Sequence, residues 1–424
     1  MKLSGFVPVF LSVLLLNIEN GTAQIDTKPA LLQIASQQKA ANDKVSFQKL
    51  LQVSKEKGWK MMFTGRNGSV ATLVGIDPFG LPVYVTTNNN IRSAATIRTN
   101  LLWTGGTTGL NLNGSAANLK GKIGIWDGGR VRASHVELVN RVIQKDNPSA
   151  ISDHSTHVAG TMIATGVNPL AKGMSWGAQQ LVAYDYNNDQ AEMLGEAANL
   201  LVSNHSYTPI TGWFYNETDK RWEFYGKPGE NEDYKFGYYS SESQMWDSIA
   251  YNAPNYLIVF ASGNNRNSNG PAVGEPYWRY DANGSMSNAG NRPAGINSND
   301  AYDVIPSWAI AKNILTVGAI NPIPSGYTAV SDAQVAPFSS WGPTDDGRIK
   351  PDVVADGVNL LSSTGSSDNA YAIQSGTSMA APSATGSLLL LQEYYSSLRS
   401  GAFMRAATLK GIVIHTADEA GTAG

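Results

Sequence analysis

Ile-Gly-Ile-Trp-Asp-Gly-Gly, residues 123–129, joins a short apolar run to one acidic residue and two glycines. A continuous apolar run of this length, followed by turn residues, is typical of a strand buried on both faces in a parallel sheet. Functional side chains in such sheets lie at the carboxyl ends of the strands. Asp127 is therefore a candidate functional residue, although a turn-forming aspartate is the simpler explanation of this stretch taken alone.

Further apolar runs follow along the chain, separated by stretches with helical periodicity. Leu181–Tyr184, Tyr256–Ala261 and Ile314–Gly318 are predicted to be buried strands. Gln190–Leu201 is predicted to be a helix, with Glu192 placed for a capping box. This alternation predicts an α/β fold, a doubly wound parallel sheet with helices on both faces.

The first 23 residues have the pattern of a secretory signal peptide. Lys2 precedes an apolar run at Phe6–Leu16, and the small residues further on indicate cleavage after Ala23. Because the apolar run is too short to span a bilayer comfortably, export is favoured over a membrane anchor. We therefore expect a secreted protein, extracellular or periplasmic, with no membrane partner.

Residues 24–100 differ in character from the rest and are interpreted as a small α+β segment that resembles a propeptide. The domain prediction is thus 1–23 signal peptide, 24–100 N-terminal segment and 101–424 α/β domain. Turn residues and a polar, Asn-rich junction at Thr86–Arg98 separate the predicted elements. These elements are a helix at Asn42–Gly58 and strands at Trp59–Phe63, Val70–Ile76 and Pro82–Thr86.

Composition narrows the classes of function. The 424 residues are 42% hydrophobic and 15% charged, so the chain can form a large core. The net charge of −3 gives no basic surface for nucleic acid, and nucleic acid is therefore not expected as a partner. The sequence contains no cysteine, which excludes disulfides, thiolate metal sites and a cysteine nucleophile.

Three further residues have the chemistry of nucleophilic catalysis. Ser378 precedes an apolar helix, where the helix dipole and backbone N–H groups favour negative charge. A serine nucleophile needs a base, and His154 is a candidate for that base. His154 and His157 could instead form a metal pair, but no third ligand with metal-site spacing is apparent. Asn264, just beyond a predicted strand, can donate to an oxyanion.

Four sequence blocks follow one another in an order that is specific. They are WDGG (126–129), HSTHVAGT (154–161), SGNN (262–265) and GTSMAAP (376–382). Together they resemble the signature blocks of the subtilisin-like serine peptidases, whose chain order Asp, His, Ser is the order found here. The resemblance extends from about residue 122 to the C-terminus and implies a subtilisin-like fold.

The resemblance also implies the roles of the residues. Asp127 would orient the imidazole, His154 would act as base and then acid, and Ser378 would attack the substrate. The Asn264 amide and the Ser378 N–H would form the oxyanion hole, and the chemistry would need no cofactor. His157 would be structural.

The resemblance further assigns substrate binding to Asn204, His205 and Ser206, within a strand similar to the one that pairs with an extended peptide. Two departures from the family pattern stand out. Ser155 replaces the glycine that usually follows the catalytic histidine, and the aromatic-rich segment 208–239 is long for the minimal form. We interpret that segment as a satellite hydrophobic cluster rather than as a substrate-binding arm.

The sequence therefore predicts a secreted serine endopeptidase acting on proteins or peptides, with its own propeptide as a second partner. The alternatives are an inactive binding protein on the same scaffold and a structural or adhesive surface module. Asp345 and Asp346 are either calcium ligands or solvated loop charges, so structural calcium stays open. Because the family normally continues beyond the helix expected at Ala406–Ala417, the sequence is expected to be truncated at its C-terminal end.

Overall fold

The computed structural model describes residues 28–64, 70–86, 93–296 and 302–420. The predicted signal peptide, 1–23, lies outside these ranges. The described helices are α1 (Pro29–Lys57), α2 (Asp153–Ile163), α3 (Asp189–Glu196), α4 (Ser241–Asn252), α5 (Thr377–Leu398) and α6 (Ala406–His415). The described strands are β1 (Met62–Thr64), β2 (Val70–Ile76), β3 (Pro82–Thr86), β4 (Ile123–Asp127), β5 (Val142–Gln144), β6 (Leu181–Asp185), β7 (Val202–His205), β8 (Thr208–Pro209), β9 (Trp213–Asn216), β10 (Arg221–Phe224), β11 (Leu257–Ala261), β12 (Pro276–Tyr280), β13 (Met286–Asn291), β14 (Leu315–Ile320), β15 (Val353–Asp356), β16 (Leu360–Ser363) and β17 (Tyr371–Gln374).

A seven-stranded sheet in the order β15-β14-β11-β7-β4-β6-β5 forms the centre of the molecule. Every pair of neighbouring strands in it is parallel. β4, which opens the sheet in chain order, is buried along its whole length, as its unbroken apolar run predicts. The predicted parallel sheet is therefore confirmed.

Helices cover both faces of this sheet. On one face, α2 and α5 contribute to a core that includes Val158, Met162 and Leu389. On the other face, α3 and α4 contribute to a second core that includes Met193 and Trp246. The two cores bury both sides of the sheet, which is the doubly wound arrangement expected from the alternation of strands and helices.

The start and the end of α3 differ from the prediction. The helix runs over Asp189–Glu196, and its cap is Asn188 in a left-handed conformation with φ 67° and no side-chain capping bond. The predicted capping box is therefore wrong. Glu192 instead accepts a hydrogen bond of 3.0 Å from the indole Nε1 of Trp126 on β4, so its side chain serves the contact between helix and sheet.

The N-terminal unit, defined here as the described residues between 28 and 86, consists of α1 and the antiparallel strands β1, β2 and β3. α1 begins at Pro29 rather than at the predicted Asn42. β2 and β3 have the predicted limits. β3 also pairs antiparallel with β8, Val85 opposite Pro209 and Thr86 opposite Thr208, so this unit shares a sheet with the α/β domain.

A second sheet is built from two segments that interrupt the α/β alternation, residues 208–239 between β7 and α4 and residues 265–296 between β11 and β14. Its order is β13-β12-β10-β9, and we call it the inserted sheet. Trp213, Phe224 and Tyr277 from these segments form a small core of their own, which confirms a satellite hydrophobic cluster. In the described part of the chain, no helix is both long and apolar enough to cross a membrane.

Candidate active site

Asp127 and His154 form a buried hydrogen-bonded pair at the carboxyl end of the parallel sheet. Asp127 is the last residue of β4 and has no exposed surface, and only 6% of His154 is exposed. His154 Nδ1 lies 2.6 Å from Asp127 Oδ1. The backbone N–H of Gly128 donates to the same oxygen at 2.7 Å. A carboxylate bound to one imidazole nitrogen fixes the orientation of the ring and favours a proton on that nitrogen.

The start of α2 positions His154. The hydroxyl oxygen of Ser152 caps the helix by accepting a 3.1 Å hydrogen bond from the N–H of Ser155, so His154 lies in the first turn. Gly160 lets the helix approach β16 closely, because an added Cβ would lie 2.3 Å from the hydroxyl oxygens of Ser362 and Ser363. The small residues that follow the histidine therefore hold the helix tightly against its neighbours.

Ser378 is the second residue of α5, just as His154 is the second residue of α2. Since α2 and α5 pack on the same face of the sheet, both side chains lie in first turns at that face. Ser378 is 3% exposed, and its hydroxyl donates to the carbonyl oxygen of Ser206, just beyond β7, at 3.2 Å. The hydroxyl of Ser206 donates in return to the carbonyl of Ser378 at 2.7 Å.

The side-chain amide of Asn264 is oriented by the residue that precedes Ser378. Its Oδ1 accepts hydrogen bonds from the backbone N–H of Thr377 at 2.8 Å and from the Thr377 hydroxyl at 3.1 Å. The Thr377 hydroxyl in turn accepts from the N–H of Gly263 at 3.1 Å. Because the oxygen of the amide faces Thr377, the Nδ2 donor points to the opposite side.

The three residues predicted to bind substrate lie in or next to a central strand. β7 is paired along Val202–His205 with β4 on one edge and β11 on the other. Asn204 and His205 therefore have both backbone edges occupied by the sheet, and neither residue has exposed surface. Ser206 comes after the pairing ends, where it contacts Ser378.

His205 belongs to a buried aromatic cluster. Its ring stacks against Trp126 with 5.3 Å between centroids and against Phe260 with 5.8 Å. Its nitrogens lie 2.7 Å from the Ser203 hydroxyl and 3.0 Å from the Tyr207 hydroxyl. Burial lowers the pKa of His205 well below its ordinary value, so the ring stays neutral.

His157 lies one helical turn after His154 and is fully buried. Its Nε2 lies 3.3 Å from the carbonyl oxygen of Leu360 on β16. Burial, with a smaller contribution from His154, lowers the pKa of His157 to about 3. A histidine that remains neutral in the core fits the structural role that the sequence resemblance implies.

The two acidic residues considered as calcium ligands have different surroundings. The Thr344 hydroxyl donates to Asp346 at 2.6 Å and Arg348 Nε at 2.9 Å, and these bonds lower the pKa of Asp346 to about 2. Burial, reinforced by the charge of Asp346, raises the pKa of Asp345. Within the described ranges, no three metal-ligating side chains converge. Calcium binding stays a prediction.

Residues 107–424 match the sequence model of the subtilase family. The chain belongs to the subtilase family. The family is one of serine peptidases, and all the residues predicted for the active site of this chain fall within the matched region.

Similarity to individual proteins is local in sequence and broader in structure. C5a peptidase of Streptococcus pyogenes is 46% identical to this subtilase over 77 residues, which is 18% of this chain and 6% of that protein. Serine protease AprX of Bacillus subtilis (strain 168) is 37% identical over 114 residues, 24% of this chain and 25% of that protein. The CspB protease of Clostridium perfringens has the same fold, with a TM-score of 0.51 and 15% identity over 78% of this chain and 92% of its own. In sequence, this subtilase therefore matches only a small part of C5a peptidase and a quarter of AprX.

Two residues of the subtilase site were not identified from the sequence. Thr377 holds the Asn264 amide, and its position beside Ser378 in the GTSM block was the available signal. Ser155 was noted as a departure, but its contacts were not foreseen. Its hydroxyl lies 3.0 Å from the carbonyl oxygens of Gly128 and Gly129 and 3.3 Å from Asp127 Oδ1. The Ser155 hydroxyl thus links the first turn of α2 to the turn that follows β4 by hydrogen bonds.

Proposed function

We propose that this subtilase is an exported serine endopeptidase with Asp127, His154 and Ser378 as its catalytic triad. The observation that carries the proposal is the buried 2.6 Å hydrogen bond between His154 and Asp127. His154 and Ser378 each lie in the first turn of a helix, and these two helices, α2 and α5, contact one another. In the proposed triad, Nδ1 donates to Asp127 and Nε2 exchanges the proton with the serine hydroxyl.

In the proposed reaction, Ser378 Oγ attacks the carbonyl carbon of a peptide bond while its proton moves to His154. The carbonyl oxygen becomes an oxyanion, for which the Asn264 Nδ2 and the Ser378 N–H are the proposed donors. Collapse of this intermediate releases the amine, which takes the proton from His154, and leaves an acyl-enzyme. Water then attacks the ester carbonyl carbon while its proton moves to His154. The bond to Ser378 Oγ breaks, Oγ takes the proton back from His154, and the acid product leaves. Side chains and one backbone N–H supply each group, so we propose no cofactor for the chemistry and calcium only as a structural ion.

Peptide substrates are proposed to enter as an extended strand beyond the end of β7. The pairing of β7 with both neighbours supports Ser206, rather than Asn204 or His205, as the first residue of that strand to face a substrate. Asn204 and His205 would then act from beneath, by supporting the backbone that bears Ser206. Pairing of substrate backbone with an exposed edge is a general mode of peptide recognition.

The N-terminal unit is proposed to be a pro-segment that blocks this entry. Support comes from β3, whose pairing with Thr208 and Pro209 covers the edge two residues beyond Ser206. The domain division remains 1–23 signal peptide, 24–100 pro-segment and 101–424 peptidase domain. Export rests on the signal-peptide pattern of residues 1–23. Neither nucleic acid nor a membrane is proposed as a partner.

A fluorophosphonate probe tests the proposal directly, because it reacts covalently with an activated serine. The matured protein should be labelled at Ser378, and Ser378→Ala should not be labelled. A peptide blocked at both termini should be cut internally by the same preparation, which distinguishes an endopeptidase from an exopeptidase. Absence of labelling in a folded, matured protein would favour the inactive binding protein.

A further inference from the structure

The hydroxyl of Ser155 lies between the acid of the candidate triad and the turn that follows it. Its Oγ is 3.0 Å from the carbonyl oxygens of both Gly128 and Gly129. It is also 3.3 Å from Asp127 Oδ1. Since carbonyls and ionised carboxylates only accept hydrogen bonds, Ser155 is the donor in all three contacts. A hydroxyl has one proton, so these three oxygens compete for it.

The hydrogen bonds of Asp127 are concentrated on one of its two oxygens. Oδ1 lies 2.6 Å from His154 Nδ1 and accepts from the N–H of Gly128 at 2.7 Å. Oδ2 is buried, and no donor among the described residues reaches it. Within the described part of the chain, Ser155 therefore carries the only hydroxyl in contact with this carboxylate. An ionised carboxylate is the strongest acceptor of the three, which favours a proton directed toward Asp127.

The start of α2 fixes the place of this hydroxyl. Ser155 is the third residue of the helix and has no exposed surface. Its backbone N–H donates to the capping hydroxyl of Ser152 at 3.1 Å. Because the side chain is closed off from solvent, its proton can go only to protein oxygens. The serine that follows His154 thus places a hydrogen-bond donor against the buried acid.

We propose that Ser155 is a positioning residue of the triad, whose hydroxyl donates to Asp127 and limits how strongly this carboxylate stabilises the protonated ring of His154. The inference rests on the proposed function and adds a fourth side chain to it. A donor on the carboxylate offsets part of its negative charge. The protonated imidazole beside it is then less favoured, so His154 releases its proton more readily to the leaving amine.

Other ionisable groups around the pair lie on the neighbouring elements. Asp185 ends β6 opposite Asp127 and accepts from the N–H of Gly129 at 2.7 Å. Further groups lie on α2, beyond β7 and after the turn that follows β4, namely Asp153, His157, Tyr207, Arg130 and Arg132. All of these groups are kept in the variants described next, so a difference between variants reports the Ser155 hydroxyl.

Titration of the His154 ring measures the effect without any need for catalysis. In full-length Ser378→Ala, the ring signals are followed by NMR as a function of pH and are assigned by their absence when His154→Gln is added. Adding Ser155→Ala should raise the pH at which the ring is half protonated by about 0.3–1 pH unit, which corresponds to part of one net hydrogen bond. The rise is expected because the carboxylate loses a donor and attracts the imidazolium more strongly.

Two further variants separate the donor from packing. Ser155→Cys keeps a similar volume with a weak donor, so it should also raise the midpoint and remains informative if Ser155→Ala fails to fold. Thr156→Val is the matched control, since it removes the neighbouring buried hydroxyl. That hydroxyl donates to the carbonyl of Ser152 at 2.7 Å and accepts from the N–H of Arg132 at 3.0 Å. Thr156→Val should lower the melting temperature and leave the His154 midpoint unchanged.

The active protein supplies a second measurement. With the Ser378 nucleophile present, Ser155→Ala should move the acid limb of kcat/KM to higher pH by the same amount as the NMR midpoint. An unchanged or lower midpoint in both Ser155 variants would overturn the inference. Equal rises in Ser155→Ala and Thr156→Val would also overturn it, because loosening of the helix start would then be the cause. Failure of the peptidase proposal would appear instead as absence of fluorophosphonate labelling, and the NMR titration would remain interpretable.

Discussion

Replacing Thr377 with valine removes one of the two hydrogen bonds that hold the Asn264 amide while keeping nearly the same side-chain volume. The bond of 3.1 Å from the Thr377 hydroxyl to Oδ1 is lost, and the bond of 2.8 Å from the Thr377 N–H remains. The amide therefore keeps its general direction but is less firmly fixed. If Asn264 stabilises the oxyanion, the loss should appear in kcat rather than in KM.

The sizes of the effects follow from the bonds involved. One net hydrogen bond is worth about 0.5–1.5 kcal/mol, so Thr377→Val should lower kcat about 2- to 13-fold. Asn264→Ala deletes the donor itself and should lower kcat about 10²–10³-fold. In the double variant, Thr377→Val should have almost no further effect, because the group that it orients is gone.

The assay measures kcat and KM of the four combinations on one peptide substrate, with active sites titrated by the fluorophosphonate. Thr377→Ser, which keeps the hydroxyl, is the control and should stay close to wild type. The stability of each variant must be measured too, since Thr377→Val also leaves the buried N–H of Gly263 without its acceptor at 3.1 Å. The reasoning fails if Thr377→Val lowers kcat equally with and without Asn264. Near-wild-type kcat in Asn264→Ala would remove the oxyanion assignment itself.

Three other predictions concern maturation, pH and packing. Ser378→Ala should accumulate as a folded, longer species, whereas the wild type should acquire an N-terminus within 86–98. N-terminal sequencing and intact mass would distinguish the two forms. Normal processing of the pure variant would exclude self-maturation. Burial, with Asp146 as a smaller cause, raises the pKa of Glu192 to about 9. Above pH ~4.5, the folded state therefore retains a proton that the unfolded state loses. The contribution of Glu192 to the free energy of unfolding should fall as pH rises from ~4.5 to ~9. Glu192→Gln should flatten that fall by up to ~1.4 kcal/mol per pH unit, and denaturant unfolding at pH 5 and pH 8 should show it; equal slopes for the variant and the wild type would contradict the assignment. Gly160→Ala should lower the free energy of unfolding by about 1–3 kcal/mol, because its Cβ would lie 2.3 Å from two hydroxyl oxygens. Gly411→Ala, with nothing within 4 Å of its Cβ, is the control and should be neutral or slightly stabilising. Similar melting temperatures for both variants would contradict the close packing of α2.

The sequence was most informative where structure is local. The limits of β2 and β3 were predicted correctly, because a turn at Asp77-Pro78-Phe79-Gly80 separates two runs of strand-forming residues. The start of α1 was not predicted, because its first turns lack a helical pattern of apolar residues. Its first turns bury Leu32 but expose Leu31 and Ile34, so no apolar periodicity marks them.

Contacts between distant parts of the chain could not be derived from one sequence. Asn264 was recognised through its motif, but the bond that orients it joins residues 113 positions apart. The aromatic segment was correctly interpreted as a hydrophobic cluster, yet nothing in it indicated that Phe214 and Tyr225 would pack against Phe63 and Tyr84. The parallel sheet was predictable because its pattern repeats, whereas the partner of an insertion has no pattern to reveal it.

The packing of Phe214, Tyr225 and Tyr280 against the N-terminal unit also has a practical consequence for producing the protein. A protein expressed from residue 101 onward would lack that unit and would expose these side chains to water. Apolar patches of this kind promote self-association and adsorption to other proteins. Supplying the N-terminal unit during expression would keep these side chains buried. The unit would therefore improve solubility regardless of its effect on catalysis.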